Sequence, residues 1–250
     1  MIIWGTKRVV SSLGFAADFC PLCREVRTFE VKRIGMAGHL YYLSFGSGKL
    51  AGYLRTCRTC GTDLNATPDQ YAQLSRKRLE PLELQPITFP NLDEVHGARL
   101  AIEKSLRSSP AKLSAADRSA LIKEPFILLS PKVEERFASV HFDGPTGFTL
   151  LAAVVGLIFI PAMLSTAMPS YAAELVMACI AAAVVAVGVQ MALSSERFMR
   201  KKLLPVLVPA LKPLKPTPQE LEAVLKDMKS LGRRIGSKLK LQTLLAGLQG

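Results

Sequence analysis

The chain has 250 residues, 49% of them hydrophobic, with a mean hydropathy of +0.25 and a formal net charge of +12. That apolar content excludes a disordered or collagen-like chain, and five cysteines in 250 residues are too few for a disulfide-built scaffold. The charge is compatible with a partner of acidic surface, lipid or nucleic acid, so its distribution has to be read along the chain.

At the amino terminus, basic Lys7 and Arg8 precede a weak apolar stretch. Ser11, Ser12 and Gly14 interrupt that stretch and no small residue stands two before Ala17, so a cleavable signal is not expected. Two hooks follow, Cys20-Pro-Leu-Cys23 and Cys57-Arg-Thr-Cys60-Gly61, about thirty residues apart. Such spacing is how zinc ribbons grip tetrahedral Zn²⁺ with four thiolates, leaving no coordination position for substrate. Cys20, Cys23, Cys57 and Cys60 are therefore the candidate ligands of one structural zinc. Between the hooks, residues 24–33 alternate as a strand with Val26, Phe29 and Val31 apolar, and residues 40–45 and 49–55 flank a Gly46-Ser47-Gly48 hairpin turn. The Gly-Ser-Gly-Lys49 string is not a phosphate loop, because Leu43 and Leu50 stand where that motif needs Gly and Ser or Thr. His39 is read as a turn or surface residue.

The opening Ile3-Trp4-Gly5, basic Lys7 and Arg8, the Cys-Pro-x-Cys hook, an aromatic stretch and the Cys-x-x-Cys-Gly hook together resemble bacterial zinc-ribbon family proteins over roughly the first quarter of the chain. The resemblance implies a small metal-stabilised module set before varied membrane or helical domains, with the same four cysteines as ligands and no shared enzymatic activity. Arg24 departs from the glycine usual after the second cysteine, and the acidic metal motif of tellurite-resistance-like relatives has no match.

Residues 66–146 form a helical region punctuated by prolines. Thr67-Pro-Asp-Gln70 and Asn91-Leu-Asp-Glu94 read as helix starts, the second presenting Leu92, Val95, Ile102 and Leu106 on one face. Ser114-Ala-Ala-Asp117 starts a third helix that ends before Pro125, and Ser130-Pro131 starts a fourth. His96 beside Asp93 and Glu94, and His141 near Glu134 and Glu135, read as charged helix surface, since neither group has a nucleophile or metal spacing and adjacent carboxylates diverge on a helix. No catalytic constellation emerges, and the chain is expected not to be an enzyme.

Residues 144–173 carry no charge, and after Glu174 none appears until Glu196. Residues 148–168 and 171–193 each reach the roughly 20 residues a helix needs to cross the hydrocarbon, so residues 147–195 read as a transmembrane helical hairpin. Ala152 and Gly156, with Ala178, Ala182 and Ala186, are spaced by four as in closely packed membrane helices. Cys179 is a small apolar member, and Glu174 lies at headgroup level. Arg197, Arg200, Lys201 and Lys202 follow the second span while the turn has no basic residue, which places both termini in the cytoplasm of a two-span inner-membrane protein. A reducing compartment favours thiolate and zinc over disulfides.

The tail, residues 196–250, holds 12 Lys and Arg against 4 Asp and Glu, a charge suited to anionic lipid. Pro205, Pro209, Pro213, Pro216 and Pro218 predict a stiff, partly extended linker. Thr217-Pro-Gln-Glu220 then opens a helix with Leu221, Val224, Leu225, Met228 and Leu231 on one face, followed by a final amphipathic segment. The fold class is thus α+β: a zinc ribbon at 1–65, helices at 66–146, the hairpin at 147–195, and the basic Pro-rich linker with amphipathic helices at 196–250. The function expected is a membrane-anchored adaptor, with lipid and either a protein partner or a second copy as partners, and nucleic acid less favoured because no aromatic-interleaved basic stripe occurs. The alternative is an accessory or redox protein of a membrane enzyme system that uses the CxxC pairs.

Overall fold

The computed structural model describes residues 4–40, 43–44, 46–108, 114–138, 143–167 and 172–249. His141 and the turn between the expected spans lie outside them. The chain opens with a five-stranded antiparallel sheet: β1 (Trp4–Cys20), β2 (Glu25–Leu40), β3 (Leu43–Ser44), β4 (Lys49–Cys57) and β5 (Asp63–Asn65), ordered β1-β2-β4-β5 with β3 paired to the end of β2. β1 and β2 form a long hairpin registered from Trp4 opposite Leu40 to Cys20 opposite Glu25, with one bulge at Ser12/Gly14. At Gly14 the φ of +148° and the Ser75 carbonyl, 2.7 Å from where a Cβ would stand, both demand glycine. Phe15 and Ser75 exchange backbone hydrogen bonds there (2.7 and 2.9 Å), pinning the loop after the sheet onto β1.

β1 is absent from the sequence reading, and the reason is physical. Its inner half, from Ala16 to Cys20, is buried at every position, so covering elements on both faces erase the alternation that marks a half-buried strand.

Helices follow: α1 (Pro81–Thr88), α2 (Leu92–Ser108), α3 (Ala115–Ala138), α4 (Gly144–Ala167), α5 (Ala172–Phe198), a π turn (Met199–Leu203), α6 (Leu204–Leu211), a 3-10 turn (Lys212–Leu214), α7 (Pro218–Ser230), α8 (Arg234–Lys238) and α9 (Leu241–Gln249). Thr67-Pro-Asp-Gln70 makes one 3-10 turn instead of a helix. Thr67 does not cap it, and the Gln70 side chain donates to Asp18 Oδ2 at 3.0 Å. On α2, Leu92 and Leu106 are buried as expected but Val95 is 57% exposed.

Two expected breaks are absent. α3 runs unbroken through Pro125 and Pro131, and the helix after α5 continues through Pro205 and Pro209, so the expected extended linker is helical as far as Leu214. A proline inside a helix leaves the carbonyl four residues back without its donor. At Pro125 that carbonyl is Leu121 O, which accepts from the Arg24 guanidinium at 3.2 Å. Pro205 is the second residue of α6, separated only by Leu204 from the π turn, whose wider ring gives the pyrrolidine room. The caps are as read: Ser114 Oγ accepts from the Asp117 N–H (3.0 Å), and Thr217 with Glu220 forms a full capping box.

One core gathers residues from across the chain: Leu22 and Phe29 of the sheet region, Leu106 of α2, Ile122, Phe126 and Val133 of α3, Leu207 and Leu211 of α6, and Leu221, Met228, Ile235 and Leu244 of the last helices. The final amphipathic segment therefore spends its apolar face inside this core. A smaller cluster of Ala16, Val31, Tyr71, Phe89 and Leu92 lies under α1 and α2.

α4 and α5 stand apart from that core as an antiparallel pair. Arg197 near the end of α5 pairs with Asp143 before α4 (2.6 Å), and Thr146 Oγ1 donates to the Gln190 carbonyl (3.3 Å). Val176, Cys179, Ala183 and Val187 are half-buried on α5, with Ala153, Gly156 and Leu157 on α4. Gly156 lies in the seam as expected, but Ala152, Ala178, Ala182 and Ala186 face outward, so the expected stripe on α5 is displaced by one position. Large apolar side chains from Phe148 to Met163 and from Met177 to Leu193 are exposed. By length and composition, one helix among the described residues can cross a membrane, within Val176–Leu214; the apolar stretch Gly144–Ile160 of α4 is shorter.

Candidate metal centre

Cys20 ends β1, Cys57 ends β4, and β2 carries Phe29 opposite Cys57, so one sheet end delivers both hooks to one place. The four Sγ atoms all lie within 4.8 Å of one another. Cys20 and Cys60 stand 3.8 Å apart, as do Cys23 and Cys57. Four thiolates about 2.3 Å from a central tetrahedral metal have edges of about 3.8 Å, whereas a disulfide needs about 2.05 Å, so the spacing fits metal coordination and all five cysteines are free of disulfides.

Both hooks turn alike. Arg24 N–H donates to the Cys20 carbonyl (2.7 Å) and Gly61 N–H to the Cys57 carbonyl (2.9 Å), each with the residue after the second cysteine left-handed, φ +57° and +66°. The Cys23 N–H also points at Cys20 Sγ (3.4 Å). Cys20 and Cys57 are buried, Cys23 and Cys60 half-buried.

Four thiols this close cannot ionise independently. Hydrogen bonds from Cys20, then Cys23, pull Cys57 well below the thiol range and Cys60 down to about 7. Cys20 is pushed up, first by its hydrogen bond with Cys23, and Cys23 rises because Cys57, Cys60 and burial outweigh the lowering by Cys20. A divalent cation would replace this shared-proton arrangement by four thiolates.

Gly61 takes the left-handed turn without cost; Arg24 does not. Its side chain explains the exception. Only 3% exposed, Arg24 forks onto Glu103 of α2 (2.9 and 3.1 Å), Leu121 O of α3 (3.2 Å) and, through Nε, Ala210 O of α6 (2.6 Å). The first hook is thereby fastened to three helices by one guanidinium.

A second buried polar group was not legible in the sequence. Asp18, fully buried on β1, pairs with Arg55 and accepts from Tyr71 Oη (2.6 Å), Gln70 Nε2 (3.0 Å) and the Phe19 N–H (2.7 Å), with His96 Nε2 at 3.1 Å. Burial first, then the Arg55 charge, lowers the His96 pKa from its ordinary value. His96 thus reaches from α2 to Asp18 of β1 and not to the neighbouring Asp93 and Glu94. The one available signal was an acid inside the apolar run Phe15-Ala-Ala-Asp-Phe19. Every acceptor position of this carboxylate is used, as expected of an acid that locks packing.

No family model matches this chain, and neither a curated protein nor a solved structure matches it.

Proposed function

We propose that this chain is a non-enzymatic, membrane-anchored zinc-ribbon protein, in which Cys20, Cys23, Cys57 and Cys60 hold one structural Zn²⁺ and the cytoplasmic domain recruits a protein partner to the inner membrane. The observation that carries this reading is the joining of a cluster of four thiols within 4.8 Å of one another to an exposed, apolar helical pair. Four thiolates fill a zinc shell and leave no position for substrate, which suits the structural role that the resemblance to bacterial zinc-ribbon proteins implies.

The topology has its own support. Residues before the helical pair, such as Phe126, and after it, such as Leu207, pack in one core. A single crossing would leave those two halves on opposite faces of the bilayer. This packing supports the reading of two crossings, through α4 and α5, whose lengths of 24 and 27 residues correspond to about 36 and 40 Å of helix. Arg197, Arg200, Lys201 and Lys202 put the core on the cytoplasmic side. Nucleic acid is the less favoured partner.

The test is affinity capture in mild detergent from crosslinked cells, comparing the full chain with its Cys57→Ser variant. A protein recovered with the first and lost with the second supports the adaptor; recovery that ignores the substitution, or no recovery, counts against it.

A further inference from the structure

A cleft of about 400 Å³ opens where the helical pair leaves the folded domain, between the end of α3, the start of α4 and the end of α5 with its π turn. Among the described residues, four cationic side chains, Arg136, Arg197, Lys201 and Lys202, line it against one carboxylate, Asp143. That carboxylate is already matched: Arg197 holds it through two nitrogens (2.6 and 3.1 Å), and the Thr146 backbone N–H donates to it as well (3.2 Å). Arg136 is set by a 2.7 Å hydrogen bond to Ser194 Oγ and by the Phe198 ring, 5.7 Å below its guanidinium. Lys201 and Lys202 are exposed. They lie on the π turn, whose extra residue per hydrogen-bonded ring brings positions four and five beyond Arg197 round toward the same side.

The height of this cleft decides what it meets. Phe148 and Leu193 are the first exposed large apolar side chains above it on α4 and α5. At 1.5 Å per residue, Asp143 lies about 7 Å and Lys201 about 12 Å beyond them, at and just below a headgroup layer about 5–8 Å deep. A cationic recess at that level, walled by an aromatic ring and open beside the bilayer, is shaped for a phosphate with an apolar tail above it.

We propose that this cleft binds the phosphate of an anionic phospholipid headgroup, with Lys201 and Lys202 supplying the charge. The proposal rests on the membrane-hairpin reading. Recognition of phosphate by a built recess differs from diffuse attraction of the basic tail to a charged surface, and the difference is measurable.

The experiment uses the full chain in mild detergent, titrated with phosphatidylglycerol, with phosphatidylcholine, or with inorganic phosphate alone, and followed by thermal shift. Phosphatidylglycerol should stabilise the protein at concentrations where phosphatidylcholine does not. Lys201→Gln/Lys202→Gln should weaken that binding roughly 30-fold. Lys201→Arg/Lys202→Arg should retain it, and Arg200→Gln/Lys240→Gln, which removes two charges from a separate depression across the same turn, should weaken it clearly less than the cleft pair does. Equal losses in the two Gln pairs, or no preference for phosphatidylglycerol, would overturn the cleft. Equal stabilisation by inorganic phosphate would reassign the ligand to a free anion and overturn the lipid assignment. An alkaline carbonate wash of the membranes separates the two readings: release of the wild-type chain defeats the hairpin itself, whereas retention without lipid preference defeats only the cleft.

Discussion

Replacing Arg24 by Gly puts the more usual hook residue into a left-handed turn, and local propensity alone predicts a gain of about 1–2 kcal/mol. The tertiary contacts predict a net loss. Glu103, 4% exposed, would lose one of its two guanidinium partners, keeping Arg99 (3.0 Å). Breaking a buried ion pair costs about 3–5 kcal/mol, and the surviving Arg99 contact places this case at the low end. The Leu121 and Ala210 carbonyls lose their donor as well, at about 1–3 kcal/mol for each one left dry. After the conformational gain, a net loss of about 3 kcal/mol remains, which for a chain of this size lowers Tm by about 6–12 °C. Thermal unfolding of the full chain in detergent measures it. Arg24→Gly/Glu103→Gln should recover part of the loss, because the buried charge leaves with its partner. Metal content should stay unchanged, since glycine suits the turn. An Arg24→Gly protein as stable as wild type, or more stable, would refute the claim that this guanidinium fastens the hook to the helices.

Other outcomes follow from the same geometry. Cys57→Ser should lose the bound metal and destabilise the sheet end, whereas Cys179→Ser, between the two apolar helices, should leave metal content unchanged; elemental analysis of both variants checks this. Asp18→Asn leaves Arg55 without its counter-charge and should cost about 3–5 kcal/mol in denaturant unfolding. Arg118, helped by the Thr217 cap, pulls Glu220 down to about 2, so its contribution to stability is complete above about pH 4.5 and is lost as pH falls toward 2. Glu220→Gln should flatten the acid limb of the stability profile in that window.

The parts of the fold that were legible in the sequence are those whose signal is local. Two CxxC hooks, the helix starts at Ser114 and Thr217, and the charge-free run from residue 144 each write their consequence into adjacent residues. What was misread depends on residues far away. Pro125 reads as a helix stop until Arg24, about a hundred residues earlier, satisfies the carbonyl it orphans. β1 reads as a broken apolar stretch because covering elements on both faces remove its alternation. His96 was weighed against its helical neighbours, while its partner Asp18 lies 78 positions away. The small-residue stripe through Ala178 was read from spacing alone, and packing chose the neighbouring stripe through Cys179.

The most direct test of the account is X-ray absorption at the zinc edge, with metal quantified per chain, on full-length protein purified in detergent without added metal. The account predicts one zinc per chain in a shell of four sulfurs at about 2.3 Å, with four thiols becoming reactive only after chelation. Reaction of more than the one non-ligand thiol, Cys179, without a chelator, disulfides joining the hooks, or a shell containing water in place of the fourth sulfur would contradict a closed structural site.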